Sequence, residues 1–174
     1  TIGTFDGVHV GHQKIIKRLV KIANKKNLQA VVLTFFPHPR MVLHKDTKIR
    51  LINSIDEKYK LLEEHGINHL VVKNFTQDFS RLTAQEFVRD ILVEKLKTKH
   101  IIIGYDHHFG RNRNANIKDL KVFGKIYGLS YSILRYYHVY GTRQVSSDYG
   151  GVVAIFIKKC LVKNNPINNK NCQY

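Results

Sequence analysis

The segment Thr1-Ile-Gly-Thr-Phe-Asp-Gly-Val-His-Val-Gly-His-Gln13 constrains the chain most. Apolar residues run into a small polar turn and a long amphipathic stretch follows, so the segment reads as a strand end, a turn and a helix start. His9 and His12 stand three residues apart at the mouth of that helix, where both imidazoles can face whatever lies over its first turn. The first backbone N–H groups of a helix lack internal partners and its dipole is positive there, so the spot suits an anion such as a phosphate chain. Gly11 lets a ligand approach the backbone, and Gly3 and Gly7 free the turn before it.

From Gly11 to Lys26, Ile15, Ile16, Leu19, Val20 and Ala23 recur at helical spacing among Lys14, Lys17, Arg18 and Lys21, which predicts one buried stripe. Ala30 to Thr34 is a continuous, largely β-branched apolar run, as in a strand covered on both faces. Phe35-Phe-Pro-His-Pro-Arg40 suits neither element, because its prolines remove backbone donors. It predicts a stiff loop at a strand's carboxyl end, where open α/β sheets bind ligands; a plain structural turn with a stray histidine is the competing reading.

Capping boxes at Ser54-Ile-Asp-Glu57 and Thr83-Ala-Gln-Glu86 open two further helices, the first closing at His65-Gly66 and the second carrying Phe87, Val88, Ile91, Leu92 and Leu96 as its stripe. His69 to Lys73, His100 to Gly104 and Leu129 to Leu134 read as strands, and a helix around Leu120 to Tyr127 ends at Gly128. This alternation predicts an α/β fold, a Rossmann-like open parallel sheet with helices on both faces. Tyr105 to Asn116 is a second loop at a strand's carboxyl end. In it Asp106 can orient a ribose hydroxyl or hold Mg²⁺ through water, Phe109 can face a ring, and Arg111 or Arg113 can reach phosphates; a solvated charged loop is the alternative.

Three stretches carry a family resemblance in the right order. Residues 3–12 match G-x-F-D-G-V-H-x-G-H, Thr34 to Arg40 supply the P-H-P loop, and Gly104 to Arg113 resemble G-x-D-F-x-F-G-x-x-R. The chain thus resembles the nucleotidylyltransferase superfamily, in the form of the adenylyltransferase module of bacterial bifunctional riboflavin kinase/FAD synthetases. The resemblance implies transfer of AMP from ATP to FMN, giving FAD and pyrophosphate, with Mg²⁺ accompanying ATP and no protein metal site. It implies His9 and His12 as catalytic donors to the phosphates. Gly3, Thr4, Phe5, Gly11, Asp106, Phe109, Gly110, Arg113, Ser146 and Ser147 would bind ATP, and Asp6, Phe36, Pro37, His38, Pro39 and Tyr105 would bind FMN.

Departures from the pattern carry expectations of their own. His107 stands where the family has Phe, and Ala115 where it has Gly, so the loop is strained if position 115 needs φ > 0. Val145-Ser-Ser-Asp148 begins like the family's I-S-S-T-x-x-R, but Asp148 replaces Thr and Gly151 takes the arginine's place. The reading is an adenylyltransferase domain over 1–147 that lacks most of its first strand. A divergent tail over 148–174 follows, of the kind a frameshift produces, and no riboflavin kinase domain. FAD formation is expected to be impaired by the missing phosphate grip.

The formal charge of +16 raises nucleic acid as a partner. The excess is mostly Lys, is spread over every predicted helix and accompanies abundant Asn and Ile, as a coding bias produces, which argues against it. ATP and FMN, both anionic, remain the expected partners. The other readings are a nucleotidylyltransferase with a different phosphate acceptor, disfavoured by the P-H-P loop, and a non-catalytic basic protein. His9 and His12 lack a nearby Cys or third His, so zinc is disfavoured, and His107-His108 reads as a loop feature. Cys160 and Cys172 support no disulfide framework, nothing resembles a signal peptide and no apolar run is long enough for a membrane helix, so a reducing cytoplasm is expected.

Overall fold

The computed structural model describes residues 1–43 and 49–135. Residues 1–3 lie parallel to strand β1 (Val31–Phe36), with Leu33 N–H donating to Thr1 O at 2.9 Å and Gly3 N–H to Leu33 O at 3.0 Å. A tight 3₁₀ turn, Asp6–Val8, then leads into helix α1 (Val10–Lys25). After β1 come the short helix α2 (Pro39–Leu43), α3 (Ile55–Glu64), strand β2 (His69–Asn74) and α4 (Gln77–Ser80). Helix α5 (Ala84–Glu86) runs on as a π-helix through Phe87–Lys95 to β3 (His100–Gly104), and α6 (Ile117–Tyr127) leads into β4 (Ser130–Leu134).

β1 pairs with β2 and β3 with β4, both parallel, Val31 opposite His69 and His100 opposite Ser130. Among the described residues no ladder joins the two pairs; Ile2 connects them through side chains, packing in one cluster with Leu33, Ile101 and Ile103. Alternation along β1 and β3 decides the layers. Leu33, Ile101 and Ile103 face Phe87, Val88, Ile91, Leu92 and Leu120, whereas Val32 and Ile102 face Ile16, Leu19, Ala23 and Leu62. Helices therefore cover both faces, with α1 and α3 on one side and α5 and α6 on the other, as expected of a Rossmann-like fold.

The amino ends of the first segment and of β1, β2 and β3, at Thr1, Val31, His69 and His100, meet around one groove of about 420 Å³. Their carboxyl ends consequently emerge together on the opposite side, where the two motif loops lie. No described helix is long and apolar enough to cross a membrane.

The local signals act largely as read. Both capping boxes form, with Ser54 Oγ accepting Glu57 N–H at 3.2 Å and Thr83 Oγ1 accepting Glu86 N–H at 3.2 Å. Three expectations need correction. Phe35 and Phe36 continue β1 rather than belonging to a loop, because Phe35 finds Phe75 and Phe79 to pack against at 5.6 and 5.7 Å. Pro39 opens a helical turn, where its missing N–H costs nothing and its fixed φ fits. Ala115 does not adopt positive φ: it exchanges two backbone hydrogen bonds with Phe109, and the left-handed residues of the loop are Gly110, Asn112 and Arg113.

Candidate active site

The motif turn is built to aim the mouth of α1. Gly7 takes φ 72°, which glycine reaches without penalty, and Val8 behind it is fully buried. Phe5, only 4 % exposed, lies under the site with its ring 5.0 Å from the His12 ring. A side chain on Gly3 would strike that ring at 2.9 Å. Gly3 and Phe5 thus shape the floor by packing, and Phe5 has no free face for ATP.

His9 is the N-cap of α1: its Nδ1 accepts the His12 backbone N–H at 3.3 Å. An acceptor Nδ1 puts the proton of the neutral ring on Nε2, so His9 presents a donor away from the helix. The two imidazoles stack at 3.6 Å and 18°. Burial lowers the pKa of both, and for His12 burial, then His9 and Lys58, outweigh the attraction of Asp6 and bring it down to about 3. Both rings are neutral at pH 7, which is what allows them to stack without charge repulsion. His12 Nδ1 is buried with no hydrogen-bond partner among the described residues.

His38 joins this group from the end of β1. Its Nδ1 accepts Arg40 N–H at 3.2 Å, and burial, then Arg40 and Lys58, depress its pKa against the pull of Asp6. Phe36 beside it is 48 % exposed and flanks a cis peptide to Pro37. Asp6, assigned from sequence to FMN, is occupied otherwise: its carboxylate accepts Ile52 N–H at 2.9 Å and Asn53 N–H at 3.2 Å, tying the motif turn to the start of α3. Lys58 on α3, which sequence reasoning passed over, is 2 % exposed and acts electrostatically on Asp6, His12 and His38. Its position four residues after the Ser54 cap was the available signal, since it puts an ammonium on the stripe that also holds buried Leu62.

The second loop divides its residues between core and surface. Phe109, 9 % exposed, packs with Phe87 and Ala115 in the core, so it is a wall of the domain rather than a ring platform. Gly110 sits at φ 73° with the Ala84 backbone N only 2.8 Å from where a Cβ would stand, so close packing on α5 explains this glycine. His107 stacks on Phe109 at 6.2 Å with its Nε2 buried and unpartnered among the described residues, and burial, reinforced by Arg113 and His108, lowers its pKa to about 4. Tyr105, 49 % exposed, Asp106 and Arg113 face solvent, and Arg135 lies 4.4 Å over the Tyr105 ring. An aromatic series, Phe35, Phe79, Phe87 and Phe109, links the strand under the first loop to the second.

The structure therefore brings together His9, His12, His38 and the Asp6 turn, and leaves Tyr105, Asp106 and Arg113 on the neighbouring loop. Thr4 is held at the strand end, its carbonyl 3.5 Å from Thr34 Oγ1, and Gly11 is buried in the first turn of α1. Ser146, Ser147, Asp148, Gly151 and the whole tail lie outside the described residues. Among those described, no three His, Cys, Asp or Glu side chains converge as metal ligands.

Comparison with known proteins gives this arrangement its family. A family model described as FAD synthetase matches residues 1–149. The bifunctional riboflavin kinase/FMN adenylyltransferase of Buchnera aphidicola subsp. Schizaphis graminum is 34% identical over 164 residues, covering 94% of this chain and 50% of that protein. An FAD synthetase of Listeria monocytogenes is 35% identical over 130 residues, covering 74% of this chain and 52% of that protein. The chain spans about half the length of these curated relatives. A crystal structure described as a macrolide-efflux protein from Streptococcus pneumoniae matches with a TM-score of 0.69 and 27% identity, over 93% of this chain and 58% of that one. Since the matched residues include every described element and the histidine pair at the mouth of α1, this chain belongs to the FAD synthetase family.

Proposed function

We propose that the chain transfers AMP from ATP to FMN, forming FAD and releasing pyrophosphate. The observation that carries this reading is the pair of neutral, stacked imidazoles at the amino end of α1, beside a loop that holds His38 and the exposed Phe36. A phosphate oxygen of FMN attacks the α-phosphorus of ATP, and the bond to the β-phosphate oxygen breaks. No covalent enzyme intermediate is needed, so the protein contributes positioning and charge stabilisation.

His9 Nε2–H donates to the charged phosphate oxygens, and the unpaired N–H groups of α1 add their dipole. His12 donates from the neutral ring beside it. Phe36 and Tyr105 offer partly exposed rings to the flavin, Tyr105 on the face that Arg135 does not cover, with Pro37, His38 and Pro39 framing the loop. In this reading Asp106 and Arg113 meet ribose and phosphate of ATP, and Ser146 and Ser147 bind the phosphates without the family's arginine. Mg²⁺ enters with ATP, since its preference for water and phosphate oxygens needs no protein cage, and it screens the triphosphate charge. The cytoplasm, where ATP and FMN are available, is the setting for this reaction.

Chromatographic detection of FAD from FMN, ATP and Mg²⁺, together with quenching of FMN fluorescence on mixing, tests the reading. Binding of FMN with no FAD formed at any ATP concentration would overturn transfer while leaving flavin binding in place.

A further inference from the structure

Gln13 follows the histidine motif directly and is unused by the chemistry above, yet it holds the backbone on both sides of His9. Side chains of an α-helix lean toward its amino end. From the fourth position of α1 the Gln13 amide therefore reaches back past the first turn, and its Nε2–H donates to Val8 O at 3.1 Å. The Gln13 backbone N–H donates to His9 O at 3.0 Å. One residue thus binds two consecutive carbonyls, which fixes the peptide planes that enter and leave His9. A third restraint comes from the His9 ring itself, whose Nδ1 accepts the His12 N–H.

The carbonyl that the Gln13 side chain grips belongs to a residue in a costly conformation. Val8 has φ 38°, left-handed backbone that a β-branched residue seldom adopts. Phe5 at 48° and Gly7 at 72° are left-handed as well. Glycine is at ease there, but Phe5 and Val8 persist only where their surroundings over-determine them. Packing supplies part of this, since Phe5 is nearly and Val8 fully buried. The Val8 N–H makes a long bond to Phe5 O, 3.3 Å, and the Val8 carbonyl is left to Gln13. We propose, resting on the adenylyl-transfer reading, that Gln13 is a positioning residue: its amide locks the strained Val8 carbonyl and so aims the His9 Nε2–H at the transferring phosphate. Glutamate has the same reach but offers only acceptor oxygens to a carbonyl, and methionine offers no donor.

Gln13→Met and Gln13→Glu in the whole chain test the lock, read by the NMR signals of the His9 ring nitrogens, by FAD formation and by the urea midpoint. Wild-type His9 should show one neutral tautomer with its proton on Nε2. Both variants should show a mixture, because the released backbone lets Nδ1 leave the His12 N–H. In Gln13→Met, kcat should fall about tenfold with little change in KM for ATP, the cost of misplacing a donor. A lower urea midpoint with the tautomer unchanged is what a merely stabilising residue would give, and it overturns the proposal. A Val8→Gly background tests the strain, since glycine takes a φ of 38° without penalty. There the loss on Gln13→Met should shrink to about threefold or less, and an equal loss in both backgrounds overturns the link to Val8. Should Val8→Gly not fold, the His9 tautomer in the two Gln13 variants decides alone. A wild-type chain that makes no FAD would sink the transfer reading, while the tautomer would still decide whether Gln13 sets the ring.

Discussion

His9 does two jobs with its two ring nitrogens, and substitutions can separate them. Nδ1 caps α1, whereas Nε2 faces outward as a donor. His9→Ala should therefore cost about 1 kcal/mol of stability from the lost cap and reduce transfer by roughly 10² to 10³, the usual effect of removing one preorganised donor. His9→Asn should restore the urea midpoint, since Asn is a good cap, yet leave FAD formation well below wild type. Equal recovery of stability and rate would show that only the cap matters. His107 presents the opposite case, a polar ring in an aromatic position. Its Nε2 is buried without a partner among the described residues, in a pocket lined by Ile2, Phe87 and Phe109. His107→Phe should stabilise the domain by about 1–3 kcal/mol, the cost of an unsatisfied buried group, read as a higher urea midpoint; a lower midpoint would mean that the imidazole is the better fit.

At the scale of elements, the second loop is anchored by one close approach. Gly110 packs on the start of α5 at a positive φ, and the Phe109–Ala115 bridge holds the two sides of the loop together. Gly110→Ala adds a Cβ 2.8 Å from the Ala84 N atom, so the loop must lift from α5. The expected loss is about 1–3 kcal/mol, with a raised KM for ATP because Asp106 and Arg113 ride on that loop. Hydrogen exchange at Phe109 and Ala115 should quicken in the variant, and unchanged protection there would place the anchor elsewhere. Helix α5 continues as a π-helix over Phe87–Lys95. Phe87, Val88, Ile91 and Leu92 pack as one face in the cluster with Ile101 and Ile103 of β3.

For the whole molecule, buried neutral histidines make stability depend on acid. His12 and His107 have folded pKa values of about 3 and about 4, against 6.5 for the free side chain. The unfolded chain therefore binds more protons below about pH 6.5. Their contribution is intact above that pH and is lost progressively as the pH falls toward the folded values. The urea midpoint should decline between pH 7 and pH 5, and His107→Phe should flatten the decline. Glu57 and Glu86, whose capping hydrogen bonds lower their pKa, have the same sign but act only near and below the usual carboxylate range. A midpoint that rises on acidification through this window would contradict the neutral assignment of both histidines.

The sequence by itself determined the features that depend on short spans: the capping boxes at Ser54 and Thr83, the strand at His100 to Gly104, and a helix mouth bearing His9 and His12. Their physical causes, a side-chain oxygen three residues from an N–H or an apolar run of set length, are written in neighbouring residues. Tertiary structure decided the roles that depend on what lies opposite. Asp6 looked available until the Ile52 and Asn53 N–H groups, 46 and 47 residues away, were found on its carboxylate. Phe109 and Gly110 matched a ligand motif, yet burial against Phe87 and Ala84 gives them packing roles. Lys58 carried no signal that the sequence reading used, and only the fold shows it 2 % exposed on the stripe of α3 that also buries Leu62.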